Sequence, residues 1–529
     1  DSDRPIVWTI AGSDSGGGAG VQADLATIAN LDAHGCSVIT AITAQSSVAV
    51  ASVEAVSHQM LTAQLDVLAA DLPPSAIKIG LLANQQQINL LASWLQPKLK
   101  QWNKLGVKVA VVLDPVMVAT CGDALTAGNA LDFTPLKGLL TLITPNVTEL
   151  ATLAGRQLLT AEQSIAAAQT LAAQLETSVL AKGGDLGPNW DKAYARDLLV
   201  CHQVAGVSSL HCNQAFWLTS ARIVTDNNHG TGCTLSSAIA AVMAQDFVLN
   251  DAVVVAKAYV SQGLKSSYQP GSGPGCLARC GWPNELAVYP LIEVVGDDLT
   301  HSDEPHSLNL ASREKAHAFT QMAAPLGVYP VVADLETLQT LLSAGAKTIQ
   351  LRVKDAADPE LEQKVIQAIA LGRDYNANVF INDHWQLALK HQAFGVHLGQ
   401  EDLHVSNLNL LREANMALGL SSHSYFEILL AMQYQPSYIA FGHIFPTTTK
   451  QMPSAPQGLN KLTRYVDLMR DVLPTVAIGG IDHTTLTEVK QTGVGDIAVV
   501  RAVTEAEEPA LAYNELVKEW AMEAKDAAV

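Results

Sequence analysis

The sequence predicts an α/β protein with two domains: an open, largely parallel sheet with helices on both faces, followed by a (β/α)8 barrel. In the first half, short apolar runs alternate with helical stretches, which is typical of a layered α/β domain. In the second half, further short apolar runs separated by helical stretches follow within about 200 residues, which favours a closed barrel. At 529 residues, the chain is long enough to form two hydrophobic cores.

Two strand-rich segments are separated by a stretch of different character. The strands predicted in the first segment are Ile6–Ile10, Ser37–Ala44, Ala76–Leu82, Val107–Leu113, Leu142–Thr144 and Ser178–Ala181. Those predicted in the second are Val328–Val332, Thr348–Leu351, Val379–Ile381, Gly395–Leu398, Ala417–Leu420, Tyr438–Phe441, Thr475–Ile478 and Asp496–Val500. Between the segments, residues rich in glycine and proline lead into an acidic and polar stretch, which is typical of a linker. We therefore expect domains at residues 1–275 and 326–529, with a linker at 276–325.

The composition excludes several classes of protein. Hydrophobic residues make up 48% of the chain, yet no apolar run reaches the roughly 18 residues that a membrane span needs. The formal charge of −19 argues against nucleic acid or anionic lipid as a main partner. The odd number of cysteines indicates a reducing compartment, and Asp1 to Arg4 do not resemble a signal peptide. We expect a cytoplasmic protein that binds small molecules. The sequence does not decide whether it forms a homo-oligomer.

One stretch organises the first domain: His229-Gly230-Thr231-Gly232-Cys233-Thr234, which leads directly into an Ala-rich helical run. Such a turn presents the backbone N–H groups of Gly230, Thr231 and Gly232 at the positive end of a helix dipole, where anions bind. Cys233 is expected in the first helical turn, where the pKa of a thiol is lowered. The alternative is a Gly-rich turn that only caps a buried helix.

Polar residues follow several strands of this domain. The first strand is followed by the Gly-rich loop Ala11–Gly20, which contains Gly12, and then by a helix in which Asp24 could face a ligand or complement the helix dipole. Gln45 offers an amide donor and acceptor, which match an aminopyrimidine edge, although a loop amide can equally cap backbone groups. Candidates for nucleotide and Mg²⁺ contacts follow later strands: Asp114, Asn146, Glu149, Lys182 and Gly183. Asn146 also suits helix N-capping.

Together these motifs resemble the hydroxymethylpyrimidine and phosphomethylpyrimidine kinases of thiamine synthesis over residues 5 to 275. The resemblance implies the three-layer αβα fold of the ribokinase-like superfamily, with ATP as co-substrate and Mg²⁺ as cofactor. Leu81 stands where the family often has Met, and Asp185 stands where it commonly has His.

In the second domain, charged and polar residues again follow the strands, where the active sites of (β/α)8 barrels lie. We expect three cations at the mouth of the barrel, those of Arg352, Lys354 and Lys450. The carboxylates of Asp383 and Asp402 are expected beside them. Cations and carboxylates together suit a Mg²⁺-pyrophosphate site. Each charge alone could be a solvated strand-end residue. Gly479 and Gly480, after the seventh strand, suit a phosphate cradle.

This half resembles thiamine-phosphate synthase over residues 326 to 515 and implies a TIM barrel. The resemblance implies that the following residues bind the pyrimidine diphosphate and Mg²⁺: Gln350, Arg352, Lys354, Asn382, Asp383, Asp402, Ser421, Thr447, Thr449 and Lys450. Lys450 would stabilise the charge of the leaving pyrophosphate. Arg501 stands where the family frequently has Ser, so that only backbone groups are expected to act there.

The resemblances predict a bifunctional transferase. The first domain would phosphorylate 4-amino-5-hydroxymethyl-2-methylpyrimidine twice with ATP, with Cys233 accepting the hydroxymethyl proton. The second would join the diphosphate to 4-methyl-5-(2-phosphoethyl)thiazole and release pyrophosphate. The alternative is a pyridoxal-type vitamin kinase fused to a regulatory barrel without catalytic activity.

Overall fold

A nine-stranded sheet forms the centre of the first half of the chain, and an eight-stranded barrel forms the second. The computed structural model describes residues 4–117, 131–183, 193–202, 213–295, 318–403, 405–447 and 455–522. It divides into two units, Asp1–Leu308 and Asn309–Val529. Within the described ranges, every helix is too short or too polar to cross a lipid bilayer.

The strands of the first unit are β1 Ile6–Ala11, β2 His34–Ile39, β3 Ala41–Gln45, β4 Val50–Ala55, β5 Ala76–Ile79, β6 Ala110–Leu113, β7 Leu142–Ile143, β8 Ser178–Ala181, β9 Tyr194–Val200, β10 Ala215–Ala221 and β11 Leu291–Val294. Its helices are α1 Gly20–Asn30, α2 His58–Asp71, α3 Gln85–Lys104, α4 Val147–Ala154, α5 Ala161–Leu175, α6 Thr231–Met243 and α7 Leu249–Lys265.

The sheet has the strand order β11-β10-β9-β8-β7-β6-β5-β1-β2. Strands β2, β1, β5, β6, β7 and β8 pair in parallel, which confirms the predicted α/β class. Strands β9, β10 and β11 extend it in antiparallel fashion, which the sequence analysis did not predict. The carboxyl ends of β1, β5, β6 and β8 therefore meet at one edge, where ligands of open α/β sheets bind.

Two predictions for this unit need correction. The single strand predicted at Ser37–Ala44 is divided at Thr40: β2 stays in the sheet, whereas β3 pairs with β4 in a separate two-stranded sheet. Ile42 is 59% exposed in β3, so this segment does not satisfy the burial that a central strand requires. The linker does not begin at residue 276, because β11 pairs with β10 and the side chains of Trp282 and Tyr289 are buried.

The hydrophobic core on one face of the sheet includes a cluster of three indoles. The ring centroid of Trp8, on β1, lies 6.1 Å from that of Trp94 and 5.9 Å from that of Trp102, both on α3. Helix α6 contacts β5 and β6, and α7 packs on α6. The packing of α6 fixes its first turn beside the carboxyl ends of these strands.

The second unit is a closed barrel of parallel strands, as predicted. Its strands are β12 Val328–Val332, β13 Thr348–Leu351, β14 Asn378–Asn382, β15 Gly395–Leu398, β16 Ala417–Ser422, β17 Tyr438–Phe441, β18 Thr475–Ala477 and β19 Asp496–Val499, with β19 pairing back to β12. Its helices are α8 Leu335–Ser343, α9 Leu361–Asp374, α10 Trp385–Lys390, α11 Leu408–Glu413, α12 Tyr425–Met432, α13 Gly458–Met469, α14 Leu486–Gln491, α15 Arg501–Thr504 and α16 Pro509–Ala521.

Aromatic side chains fill the barrel interior. The ring centroids of Tyr329, Phe380 and Tyr438 lie 5.3 to 6.0 Å apart, with near-perpendicular or steeply tilted planes. Gly419 gives Tyr438 its space, because a side chain at residue 419 would overlap the phenol ring. Side chains therefore fill the barrel interior, and the cavity lies at the carboxyl ends of the strands.

Candidate active sites

The Gly-rich loop after β1 is organised by Asp14, a residue that the sequence analysis did not single out. Its carboxylate accepts hydrogen bonds from the backbone N–H groups of Gly16 at 2.8 Å, Gly18 at 3.1 Å and Ala19 at 2.8 Å. Nε2 of His229 lies 3.0 Å from the same carboxylate. Burial acts to raise the pKa of Asp14, but these hydrogen bonds outweigh it and the pKa is lowered. Asp14 thus links the Gly-rich loop to the turn before α6.

Glycine is required where the two loops meet. A Cβ on Gly18 would overlap the His229 ring, and a Cβ on Gly230 would overlap the carbonyl oxygen of Gly18. Gly230 also has φ +76°, in the left-handed region that favours glycine. It is the N-cap of α6, so the backbone N–H groups of Thr231, Gly232 and Cys233 belong to the first helical turn. The N–H group of Thr231 donates to the carbonyl of Asn228 at 3.3 Å. First-turn N–H groups lack intrahelical acceptors and can bind an anion.

The prediction that the pKa of Cys233 is lowered is wrong. Burial raises the pKa of Cys233 to about 11, and the charges of Asp24 and Asp114 act in the same direction. The ammonium group of Lys78 lowers it only in part. The cause is desolvation, which penalises the charged thiolate more than the nearby cation stabilises it. The thiol is therefore neutral at pH 7.

Asp24, expected to face a ligand or the helix dipole, does neither. Its side chain is fully buried and accepts hydrogen bonds from Lys78 Nζ at 2.7 Å and Thr9 Oγ1 at 2.6 Å. Burial acts to lower the pKa of Lys78, but the Asp24 carboxylate raises it, so Lys78 stays charged. This pair places a buried cation under the first turn of α6, near Cys233.

Asp114, at the end of β6, also has a cation partner. Its carboxylate lies 3.3 Å from Lys182 Nζ, 3.4 Å from Thr144 Oγ1 and 3.5 Å from Ser236 Oγ. A Cβ on Gly232 would be 3.2 Å from Lys182 Nζ, so this ammonium group lies directly beside the first turn of α6. Lys182 is thus a cation partner of Asp114 in the structure, and the metal-binding role of Asp114 stays a prediction.

The predicted nucleotide residues lie along the next strand ends. Asn146 and Glu149 form a reciprocal capping box at the start of α4, which is the N-capping role that Asn146 suited. The backbone N–H of Gly183 donates to Asp197 at 2.9 Å, and Asp197 in turn pairs with Lys257 at 2.7 Å. A small pocket opens between these elements, lined in part by Leu150, Leu158, Lys182, Gly183 and Trp217.

Gln45 and Gly12 lie where β3 meets the Gly-rich loop. The backbone of Gln45, at the end of β3, exchanges hydrogen bonds with the Ser15 hydroxyl at 2.6 and 2.8 Å. The Gln45 side chain is half-buried and lies 3.4 Å from Thr43 Oγ1. Gly12 is buried, and a Cβ there would be 2.8 Å from Leu81 Cδ2. Leu81 therefore packs directly against the loop.

In the barrel, a cavity of about 430 Å³ opens at the carboxyl ends of the strands. The predicted residues that line it are Gln350, Arg352, Asn382, Asp383, Ser421, Thr447, Gly479 and Gly480. Side chains that the sequence analysis did not single out also line it, among them His397, Glu401, His423, His443 and Asp482. Lys354 is exposed beside this mouth, and Thr449 and Lys450 lie outside the described residues.

Asp402 is not among the residues that line the cavity, but its carboxylate and that of Asp383, which does line it, influence each other. Burial raises the pKa of Asp402, and the negative charge of Asp383 raises it further. Asp383 has φ +62°, and its backbone N–H donates to the carbonyl of His397 at 3.0 Å, which holds it at the end of β14. Paired carboxylates that repel each other at a cavity mouth are a donor set that a divalent cation relieves.

Gly479 and Gly480 follow β18 with φ +107° and +69°. A Cβ on Gly480 would be 2.8 Å from Phe445 Cβ, and one on Gly479 would be 2.5 Å from His443 Cβ. The loop after β17 therefore packs directly on this backbone. Without side chains, the two glycines leave backbone that an anion could approach closely.

Comparisons with known proteins match both halves. The family model for phosphomethylpyrimidine kinase matches residues 14–278, and the model for thiamine monophosphate synthase matches residues 328–503. Thiamine-phosphate synthase of Shigella boydii is 56% identical over 193 residues, which covers 36% of this chain and 91% of the relative. The chain belongs to both families. It is therefore a bifunctional transferase of thiamine biosynthesis, and its kinase half takes ATP as co-substrate.

Solved structures also align with the kinase half. The structure of phosphomethylpyrimidine kinase from Clostridium difficile 630 is 31% identical with a TM-score of 0.39 and covers 49% of this chain and 98% of its own. Pyridoxal kinase from Staphylococcus aureus is 27% identical with a TM-score of 0.45 and covers 55% of this chain and 98% of its own. The family matches of the two halves do not favour a pyridoxal-type kinase with a regulatory barrel.

Both halves of this kinase–synthase contain site residues that were not predicted from the sequence. In the kinase half, the signal for Asp14 was present, because an acid inside a Gly-rich loop commonly accepts loop N–H groups. In the synthase half, a histidine in the apolar run Gly395–Leu398 signals an inward polar side chain. Lys78 carries the same signal, a polar residue in the apolar run Ala76–Ile79, but its partner Asp24, 54 residues away in the chain, could not be identified from the sequence.

Proposed function

We propose that the kinase half, from residue 5 through β11, phosphorylates 4-amino-5-hydroxymethyl-2-methylpyrimidine to the monophosphate and then to the diphosphate. The synthase half, from residue 326 onward, then joins the diphosphate to 4-methyl-5-(2-phosphoethyl)thiazole and releases pyrophosphate. The substrates are small molecules, and we assign neither nucleic acid nor a membrane as partner. The free thiols of all five described cysteines support the cytoplasm as the compartment.

In the kinase half, we assign the transferring phosphoryl group to the first turn of α6. The backbone N–H groups of Gly230, Thr231, Gly232 and Cys233 hold it, and the ammonium groups of Lys78 and Lys182 stabilise its charge. The ion pairs of both lysines support this, because they keep two cations charged beside that turn. Lys182 is the better candidate for direct contact, since Lys78 is fully buried.

The pyrimidine is assigned to the space between the Gly-rich loop and β3, where Gly12 and Gln45 lie. Asp24 is not part of this contact, since it has no exposed surface. The nucleotide is assigned to the strand ends at Lys182 and Gly183, near the capping box of Asn146 and Glu149. We propose that Glu149 acts there through the helix it caps.

In the synthase half, Asp383 and Asp402 are assigned to Mg²⁺, which would neutralise charge on the leaving pyrophosphate. Mg²⁺ is commonly held by one or two carboxylates together with substrate phosphates, and the proximity of these carboxylates fits that donor set. Arg352, Lys354 and Lys450 supply further positive charge. We assign Gln350, Asn382, Ser421, Thr447 and Thr449 to the pyrimidine diphosphate, and Gly479 and Gly480 to the thiazole phosphate.

The observation that carries this proposal is the cavity of about 430 Å³ whose lining combines Arg352, Asp383, Ser421 and Gly479. The test incubates the whole chain with the hydroxymethylpyrimidine, ATP and Mg²⁺, with and without the thiazole phosphate, and separates the products by chromatography. We expect thiamine phosphate only when the thiazole is present. Accumulation of the diphosphate in both tubes would contradict the synthase assignment, and absence of phosphorylated pyrimidine would contradict the kinase assignment.

The raised pKa of Cys233 predicts a difference between the two phosphorylations. The first acceptor is an alcohol that must lose a proton, whereas the second is a phosphate that is mostly dianionic at pH 7, with a second pKa of about 6. Below a thiol pKa of about 11, the thiolate fraction rises with pH. The rate of the first step should therefore rise about tenfold per pH unit between pH 7 and 9, while the second stays nearly constant.

Substitution of Cys233 separates this role from a structural one. Cys233→Ala should slow the first step by about 10²- to 10⁴-fold and the second far less. Cys233→Asp should restore the first step and move the rise of its rate to lower pH, because a carboxyl group ionises at lower pH than a thiol in the same place. The measurement is single-turnover formation of each product from the appropriate pyrimidine. Equal losses in both steps, or parallel pH profiles, would refute Cys233 as the base.

A further inference from the structure

Five polar side chains form a continuous hydrogen-bonded network across the barrel interior. Gln350 Nε2 donates to Tyr329 OH at 3.0 Å, and Tyr329 OH lies 2.8 Å from Tyr438 OH. Tyr438 OH lies 2.7 Å from His397 Nδ1, and His397 Nε2 lies 2.7 Å from Ser421 Oγ. The two ends, Gln350 and Ser421, line the cavity, whereas the two phenols lie beneath it.

The direction of every hydrogen bond in the network follows from the first. Because Gln350 donates to Tyr329, the Tyr329 proton is directed to the oxygen of Tyr438, its other partner. The Tyr438 proton then goes to Nδ1 of His397, which must be unprotonated. A neutral imidazole carries its proton on the other nitrogen, so Nε2 donates to Ser421 Oγ. The hydroxyl proton of Ser421 is left for a ligand in the cavity.

The environment of the phenols keeps this arrangement intact. Tyr329 and Tyr438 are 1% and 0% exposed, so water does not compete for their hydroxyl groups. Burial also raises the pKa of both phenols, so both remain protonated over the working pH range. His397 stacks on Tyr438 with ring centroids 5.7 Å apart and planes 22° apart, which restrains the imidazole. Such satisfied buried networks specify one arrangement of their members.

We propose that this network is a positioning element of the synthase, in which Tyr329, Tyr438 and His397 fix Ser421 as a hydrogen-bond donor to the pyrimidine diphosphate. The proposal rests on the assignment of Gln350 and Ser421 to that substrate. Gln350 uses an N–H group inward, so its carbonyl oxygen serves as the acceptor at the other end. An aminopyrimidine carries both an acceptor ring nitrogen and a donor amino group, which matches a site with one donor and one acceptor.

The test is a double-mutant cycle on the full chain, supplied with the pyrimidine diphosphate and the thiazole phosphate and without ATP. Tyr438→Phe should raise the KM for the diphosphate or lower kcat so that kcat/KM falls about tenfold, with the KM for the thiazole phosphate unchanged. Ser421→Ala should cause a loss of similar size. In the Ser421→Ala background, Tyr438→Phe should add less than about twofold, because its effect passes through Ser421.

Two controls keep the cycle interpretable. Tyr375→Phe removes a phenol–hydroxyl contact of 2.9 Å with Ser343 on the outer helices and should leave synthase activity unchanged. Thermal unfolding checks that the Tyr438→Phe variant is folded. If that variant is unfolded, Tyr329→Phe is used in the cycle in its place. If the losses in kcat/KM of the two single variants multiplied in the double variant, the positioning role of the network would be overturned, while the assignment of Ser421 to the substrate would stand. Normal activity of Ser421→Ala would overturn the assignment of Ser421 to the substrate, and this proposal with it.

A second measurement tests the direction of the hydrogen bonds. The opposite orientation of the Gln350 amide would reverse every hydrogen bond in the network and place the His397 proton on Nδ1. Ser421 would then donate to His397 Nε2, and it could only accept a hydrogen bond from the substrate. Nitrogen-15 NMR of the imidazoles distinguishes the two tautomers, with the His397 signal identified by its loss in His397→Gln. We expect the proton on Nε2. A proton on Nδ1 would overturn the donor role of Ser421.

Discussion

Replacing Gly230 by alanine is expected to reduce phosphorylation of the pyrimidine by more than about a hundredfold. The new Cβ would overlap the carbonyl oxygen of Gly18, and alanine is strained at φ +76°. The turn and the Gly-rich loop must therefore move apart, which displaces the backbone N–H groups assigned to the phosphoryl group. The measurement is the rate of monophosphate and diphosphate formation by the whole chain.

A matched control separates this displacement from backbone strain. Gly106 has φ +82°, and a Cβ there would meet no atom within 4 Å. Gly106→Ala should therefore cost about 1 kcal/mol of stability and leave both activities intact. In Gly230→Ala, synthase activity with supplied diphosphate should also stay normal. If Gly230→Ala retained most of its kinase activity, the close approach of the two loops would not be required for catalysis.

Replacing Asp383 by asparagine is expected to lower synthase activity by about a hundredfold or more, since a bound cation contributes several kcal/mol to charge stabilisation. Asparagine tolerates the left-handed region, so the backbone at φ +62° is retained while the charge is lost. The pKa of Asp402 should fall at the same time, because the charge of Asp383 helps to raise it. The measurement is thiamine phosphate formation as a function of Mg²⁺ concentration.

Asp334→Asn serves as the control for this prediction. Asp334 follows β12 on the same side of the barrel but caps α8, where its Oδ1 accepts from Thr337 at 2.8 Å. Asparagine caps a helix as well as aspartate does, so activity and Mg²⁺ dependence should be unchanged. Phosphorylation of the pyrimidine should be normal in both variants. An unaltered Mg²⁺ dependence in Asp383→Asn would show that Asp383 does not hold the cation.

The sequence allowed prediction of the elements whose signals are local. Each barrel strand carries a short apolar run, and the turn before α6 combines glycine with an apolar helix, so both could be read from neighbouring residues. The division of the predicted strand at Thr40 could not, because apolar Ile42 is exposed only through the pairing of β3 with β4. The strand β11 was assigned to a linker because its partner, β10, lies about 70 residues earlier.

The candidate sites show the same limit more clearly. Cys233 was predicted in the first turn of α6 and lies there, but its charge state and that of Asp24 depend on Lys78, which only tertiary packing brings close to both. In the barrel, the residues at the strand ends could be inferred from spacing. The connection between Gln350 and Ser421 could not, because it requires two phenols from strands that are not adjacent in the sheet. Long-range polar contacts are what the sequence pattern leaves undetermined.

The polar network also makes tolerance to mutation uneven within the barrel core. At Phe380 or Ala498, an apolar replacement of similar volume disturbs only packing. At Tyr329 or Tyr438, loss of one hydroxyl leaves a buried partner without its hydrogen bond, which costs more than the lost contact. The interior therefore contains two kinds of position, freely exchangeable and chemically fixed. Redesign of the barrel for greater stability can therefore replace residues of the first kind but must retain those of the second.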